Sequence, residues 1–219
     1  MKFLKIAILI LGLFCFGCSS TSSPGGNLTS ESSVNSKKDR DEIQNLIRRV
    51  LNWSDSKNAI DLLPAVADST DSLYVGFDME EHRLNLEKLK KTDLFAPEFI
   101  ENYNQIILTL DKKLRAKEFE SWPMGELPTF FFANDENPWC LCQDVPYDEL
   151  NPWDLVEVEV ISLNSEKGEL NWKWGKPELN GSPGWKEFRY RFKVVKENNK
   201  WKIAYLQGFD FKESTRRDG

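Results

Sequence analysis

Histidine is nearly absent from this 219-residue chain, cysteine is scarce, and nowhere do three basic residues stand in a row. Each shortage removes a class of chemistry. Beyond residue 36 the single histidine, His82, and a Cys140-x-Cys142 pair in place of C-x2-C pairs leave no ligand set for a structural metal, so neither a metal nor a cofactor is expected. His82 is also the only histidine that could serve a nucleophile as base. Glu80, Glu81 and Arg83 around it read as a charged first helical turn with the ring facing solvent, so no catalytic residue is assigned. G-x-S-x-G elbows, phosphate loops and H-E-x-x-H helices are all missing. Without basic runs to offset its excess of carboxylates, the chain has no electrostatic footprint for nucleic acid.

The one long apolar run covers residues 6–16, too short to span a bilayer. Lys2 and Lys5 precede it, and Gly17-Cys18 follows. This arrangement resembles the signal peptide and lipobox of bacterial lipoproteins, in which the final cysteine receives the lipid. The resemblance implies a signal peptide over 1–17, acylation at Cys18 and a place in the cell envelope, bound to membrane through the N-terminal lipid. An ordinary secretory signal cut near Gly17 or Ser20 is the alternative. Residues 18–36 are rich in Ser and Gly with only Leu28 and Val34 as large aliphatic side chains, the composition of a flexible leash. Eighteen such residues reach roughly 25 Å. Removing Lys2 and Lys5 from the 29 basic residues leaves 27 against 35 acidic ones, a net charge of −8.

The remaining ~180 residues suit one domain with a real core, and eight Trp, fourteen Phe and five Tyr are available to fill it. Periodicity predicts helices first and strands after, hence an α+β domain over 37–212 with a disordered tail over 213–219. Helix one is expected from Lys37, with Ser36 as N-cap and Ile43, Leu46, Ile47, Val50 and Leu51 as its buried stripe. A second helix follows Asp78 and carries Leu84, Leu86 and Leu89. A third opens at Pro97 and buries Phe99, Tyr103, Ile106, Ile107, Leu110 and Leu114.

Four strands are expected in the last seventy or so residues. Val156, Val158 and Val160 alternate with Glu157 and Glu159, and Leu170, Trp172 and Trp174 alternate with Glu169, Asn171 and Lys173. Over 186–196, Phe188, Tyr190, Phe192 and Val194 alternate with charged residues. After Asn198-Asn199, Trp201, Ile203, Tyr205 and Phe209 share the inner face.

Three stretches carry a further likeness: residues 94–99, Cys142-Gln143-Asp144, and Trp201-Lys202-Ile203. With helices followed by a long antiparallel sheet, the chain over 38–211 resembles the nuclear-transport-factor-2-like superfamily, nearest to its small exported bacterial members. That likeness implies N-terminal helices packed on a strongly bent antiparallel sheet, a cone whose open end often holds a cavity. The superfamily includes isomerases, dehydratases and inert binding modules, so fold alone selects no activity.

The remaining signal is aromatic. Trp139, Trp153, Trp172, Trp174, Tyr190 and Tyr205 are candidate ligand or partner contacts, with core filling as the plain alternative for the strand tryptophans. The two Asn-Pro-Trp copies, at 137–139 and 151–153, flank Cys140 and Cys142 and are expected to be exposed. Those two cysteines are open between a local disulfide and free buried thiols. The sequence favours a binding or interaction module for an unknown protein or small molecule. An enzyme using a buried acid in a cone cavity, and a homodimeric scaffold joined through the outer sheet face, are the rivals.

Overall fold

The computed structural model of the chain describes residues 28–145, 150–175 and 183–216. Cys18 and its signal lie outside them. Helix α1 (Leu28–Ser54) starts upstream of Ser36, so Ser36 is a helical residue and not an N-cap, and the backbone over 28–36 continues the helix where a leash is expected. Its stripe is as the period requires: Ile43, Leu46, Ile47, Val50 and Leu51 are all buried.

A short chain segment then forms β1 (Ala65–Ala67) and β2 (Leu73–Phe77), which pair with the two-residue β3 (Trp122–Pro123) in a small antiparallel sheet. Helix α2 (Met79–Thr92) begins where the Asp78 carboxylate accepts from the Glu80 and Glu81 amides, at 2.9 and 3.0 Å. Helix α3 (Pro97–Arg115) opens on Pro97, whose missing N–H costs nothing at that position. All six of its expected core residues are buried.

The second sheet is a meander of β4 (Val156–Leu163), β5 (Lys167–Trp174), β6 (Tyr190–Glu197) and β7 (Lys200–Leu206), antiparallel throughout. Between β5 and β6 runs the short helix α4 (Pro183–Glu187), and Phe188 is half-buried just before the strand, so β6 starts later than alternation suggests. The outer edge of β7 is closed by residues 94–96: the Ile203 N–H donates to the Leu94 carbonyl (2.9 Å) and the Ala96 N–H to the Ile203 carbonyl (2.8 Å). The chain is an α+β domain with a single connected hydrophobic core between the helices and this sheet.

Asp39 on α1 ties the helix to the last hairpin. Its carboxylate accepts from Lys196 Nζ at 2.8 Å and from the Trp201 indole at 2.9 Å, while the Lys196 ammonium lies 4.9 Å from the Trp201 ring centre. Burial pushes the Asp39 carboxyl upward, but the Lys196 and Trp201 bonds outweigh it and hold the group below its usual range.

Helix α2 corrects the sequence expectation most sharply. Its buried face is His82, Asn85 and Leu89, at i, i+3 and i+7, whereas Leu84 is exposed and Leu86 half-buried. His82 Nε2 lies 3.0 Å from the Asn104 Oδ1 of α3, so the ring donates there. The ring also meets Tyr103 edge-on at 5.4 Å, and Nδ1 is buried with no hydrogen-bond partner. The acidic neighbours point outward because they sit on other faces of the same turn.

Burial lowers the pKa of His82, against a smaller opposing effect of the Asn104 bond. Protonating Nδ1 would place a charged N–H where no acceptor waits. Since the unfolded ring takes up a proton near 6.5 and the folded ring only at lower pH, stability is full above that pH and declines as pH falls toward about 5. No other histidine titrates in this window. Urea unfolding of the wild type from pH 7.5 to 5 is expected to show this loss, and His82→Gln to flatten it; an identical slope in both proteins contradicts the assignment.

Candidate functional site

Five of the six aromatic candidates belong to the core. Trp172 and Tyr190 are fully enclosed, and Trp139, Trp153 and Trp174 nearly so. The Asn-Pro-Trp copies are therefore not exposed as expected: Trp139 packs on Phe209 at 4.6 Å and Trp53 at 5.5 Å, and Trp153 stacks on Trp174 at 5.7 Å. Each proline instead starts a tight turn that folds its tryptophan inward, the Asn137 and Asn151 side chains accepting from the Trp139 and Trp153 amides at 3.1 and 3.3 Å.

Tyr205 is the sixth, and alternation predicts it beside Ile203 on the inner face. The pairing of β6 with β7 slips between Lys193 and Val194: Val194 faces Ile203, and Lys193 faces Tyr205. Ala204 is thus an extra residue, a bulge that reverses the parity of the strand beyond it. Leu206 turns inward to full burial opposite Phe192, and Tyr205 turns outward with the Lys193 ammonium 5.6 Å from its ring.

Outside the sheet Tyr205 lines a cleft of about 600 Å³. One wall is the loop from Phe131 to Leu141; the other is the 3-10 turn Gln207–Phe209 with helix α5 (Phe211–Ser214). Ser214 and Thr215, assigned by sequence to a disordered tail, are buried here, and the Thr215 carbonyl accepts from Lys113 Nζ at 2.7 Å. The Arg216 guanidinium covers the Phe131 ring at 4.1 Å and pairs with Glu213 at 2.7 Å.

The walls are joined from behind by one buried hydroxyl. Tyr190 Oη donates to the Pro138 carbonyl at 2.8 Å and accepts from the Gly208 N–H at 3.0 Å. Backbone meets backbone so closely that a Cβ on Gly208 would lie 2.0 Å from the Pro138 oxygen, which leaves glycine as the residue that fits. The first wall is further stiffened by a disulfide between Cys140 and Cys142, by Asn137–Cys142 pairing, and by Gln143 donating to Asp135 at 2.7 Å.

Asp210 organises the polar side of the cleft. One carboxylate oxygen caps α5 by accepting from the Lys212 and Glu213 amides, both at 3.1 Å, and the other accepts from the Tyr205 hydroxyl at 3.3 Å. Burial, then the Asp210 charge, raises the Tyr205 pKa, so the phenol stays protonated at neutral pH and acts as a hydrogen-bonding group and not as a base. Asp135, Glu136, Asp210 and Glu213 line the cleft, with Lys193, Arg191 and Arg216 beside Tyr205, Phe131 and Glu213 at its margin, while Phe131 and Phe132 supply ring surface. A shallower cleft of about 370 Å³, lined by Trp139 and Asp61, lies against the other side of the 133–139 loop.

Sequence reasoning names Tyr205 but misses Phe131, Asp135, Gln207 and Asp210, because these come from an irregular loop and a turn without periodicity. The Asp210-x-x-Glu213 capping spacing is the one signal that could have marked the turn. Among the described residues, no group of three or more His, Cys, Asp or Glu side chains could hold a metal ion, and no helix is long and apolar enough to cross a membrane. No family model, curated protein or solved structure matches this chain.

Proposed function

We propose that this chain is a lipid-anchored protein of the bacterial cell envelope whose α+β domain is a binding module, with the Tyr205 cleft as its ligand site. The observation that carries the assignment is the division of the aromatic side chains. Trp153, Trp172, Trp174 and Tyr190 pack against one another and Trp139 packs on Trp53 and Phe99 of the helices, all five buried in the core, whereas a bulge re-aims Tyr205 into a solvent-connected cleft. A filled interior favours a module over an enzyme with a deep acid-bearing chamber. The kinship with the nuclear-transport-factor-2-like cone belongs to the same proposal. It is supported by α1 touching both β4 and β7, the two outer strands of the meander, as a sheet curled around a helix would require.

The ligand class follows from the groups on offer. A protonated phenol, carboxylates and amides that accept from hydroxyls, and aromatic rings that take apolar ring faces suit a hydroxyl-rich molecule such as a short neutral saccharide. The anchor reading rests on the residues before and at Cys18.

Two measurements test this. Adding oligomers of glucose or N-acetylglucosamine while following backbone amide resonances should shift residues 131–141 and 205–214 saturably, and Tyr205→Ala should weaken binding about tenfold. Shifts confined to other regions, or no saturable shift with either sugar series, would sink the saccharide reading. For the anchor, Cys18→Ser should move the protein out of the detergent phase on Triton X-114 partition; retention there with unchanged processing contradicts acylation at this residue.

A further inference from the structure

On a different part of the surface, a groove of about 650 Å³ runs between the end of α1, the turn after it and the end of α2. Four cations line it: Arg49, Lys57, Lys88 and Lys91, all exposed, with no carboxylate among the lining residues. In a chain with an excess of six negative charges, such a gathering stands against the average field.

Helix dipoles account for part of it. Lys91 sits in the last turn of α2, where a cation opposes the partial negative charge of free carbonyls. The last turn of α1, however, contains no basic residue, so Arg49 lies too early and Lys57 too late to serve that end. Ion pairing accounts for little more. Glu87 is taken by Lys90 at 2.8 Å, Glu80 by Arg83 at 2.7 Å, and Asp93 by Lys200 and Lys202 at 2.8 and 2.9 Å. Those two lysines hold the Asp93 carboxyl down at about 2, so it stays charged and committed to them. Within the groove Lys88 alone touches a carboxylate, that of Glu81 at 3.5 Å; Lys91 feels the charge of Glu87 without an ion pair to it, and among the described residues Arg49 and Lys57 have no ion-paired carboxylate.

The floor is apolar and fixed. Trp53 is half-buried, with its ring held edge-on by Phe95 and by Trp139, each at 5.5 Å, and Leu94 and Ala59 lie beside it. Thr92 and Asn58 add polar atoms at the rim. A rigid floor below four long cationic arms suits an occupant carrying several negative charges close together, with the Arg49 fork able to take two oxygens of one phosphate.

We infer that this groove binds a soluble polyphosphorylated anion through Arg49, Lys57, Lys88 and Lys91. A soluble occupant is favoured over bilayer headgroups because the groove lies at the C-terminal end of α1, about 40 Å along a 27-residue helix from the end that leads back to Cys18. The site is separate from the Tyr205 cleft and stands whether or not that cleft takes a saccharide.

The test uses the full chain and inorganic tripolyphosphate. Titration at low salt should shift the amides of residues 49–59 and 88–94 saturably, with affinity falling as salt is raised. The double variant Lys57→Glu, Lys91→Glu should weaken binding about tenfold or more, whereas a control of equal charge, Lys37→Glu, Lys112→Glu, should change it less than about twofold. Equal weakening by both pairs, or shifts spread over other basic residues, would overturn the site. So would the absence of tripolyphosphate shifts, including the case in which the groove pair alone reduces the excess of binding to phosphatidylglycerol over phosphatidylcholine vesicles; that result would assign the groove to the membrane.

Discussion

The cleft exists because one phenolic hydroxyl is buried where two backbones need it. Tyr190 is completely enclosed, and its Oη is the shared partner of the Pro138 carbonyl and the Gly208 N–H, at 2.8 and 3.0 Å. The buried Pro138 carbonyl left unpaired would cost about 1–3 kcal/mol, and the half-buried Gly208 amide would lose its partner as well, so the hydroxyl fixes how far the loop and the turn stand from the sheet. Burial raises the Tyr190 pKa, which keeps its proton in place to serve the carbonyl. Gly208 completes the arrangement by allowing an approach that any side chain would block.

From that contact the rest of the site follows. Phe209, carried just beyond Gly208, drops between Phe99, Phe132 and Trp139, at 4.9, 5.5 and 4.6 Å, and the Asn102 amide of α3 donates to its carbonyl at 2.7 Å. The turn is thereby docked on α3, and Asp210 lands where it can cap α5 and meet Tyr205. A helix face, a strand bulge and an irregular loop thus converge without any charged group being buried at their junction.

Much of the fold is legible in the sequence because its elements are amphipathic. The stripes of α1 and α3 and the alternation of β4 to β7 each place apolar residues at the spacing their geometry buries. Errors arise where periodicity is silent or misleading. His82 stands among charges yet occupies the inner face of α2, since the face is set by the 3.6-residue period and not by its immediate neighbours. A bulge at Ala204 breaks the two-residue alternation and moves Tyr205 to the outer face, and Val160, although in register opposite Leu170, is exposed toward the end of the edge strand β4. The Asn-Pro-Trp turns look like exposed loops by composition, although each tucks a tryptophan into the core. The cleft itself was visible only through Tyr205, because its remaining walls come from segments whose shape depends on tertiary contacts.

The charged residues that line the two concavities differ in sign, carboxylates in the Tyr205 cleft and cations in the Trp53 groove. Trp139 and Phe99 lie between them, so the walls of both rest on one aromatic layer. The most direct measurement of what holds the acidic cleft open is amide hydrogen exchange at Gly208 in Tyr190→Phe. If the hydroxyl pins the two walls, the Gly208 amide is protected in the wild type and exchanges much faster in the variant, while the Ile203 amide, bonded to Leu94, keeps its protection. Unchanged protection at Gly208 would show that the walls hold together without Tyr190.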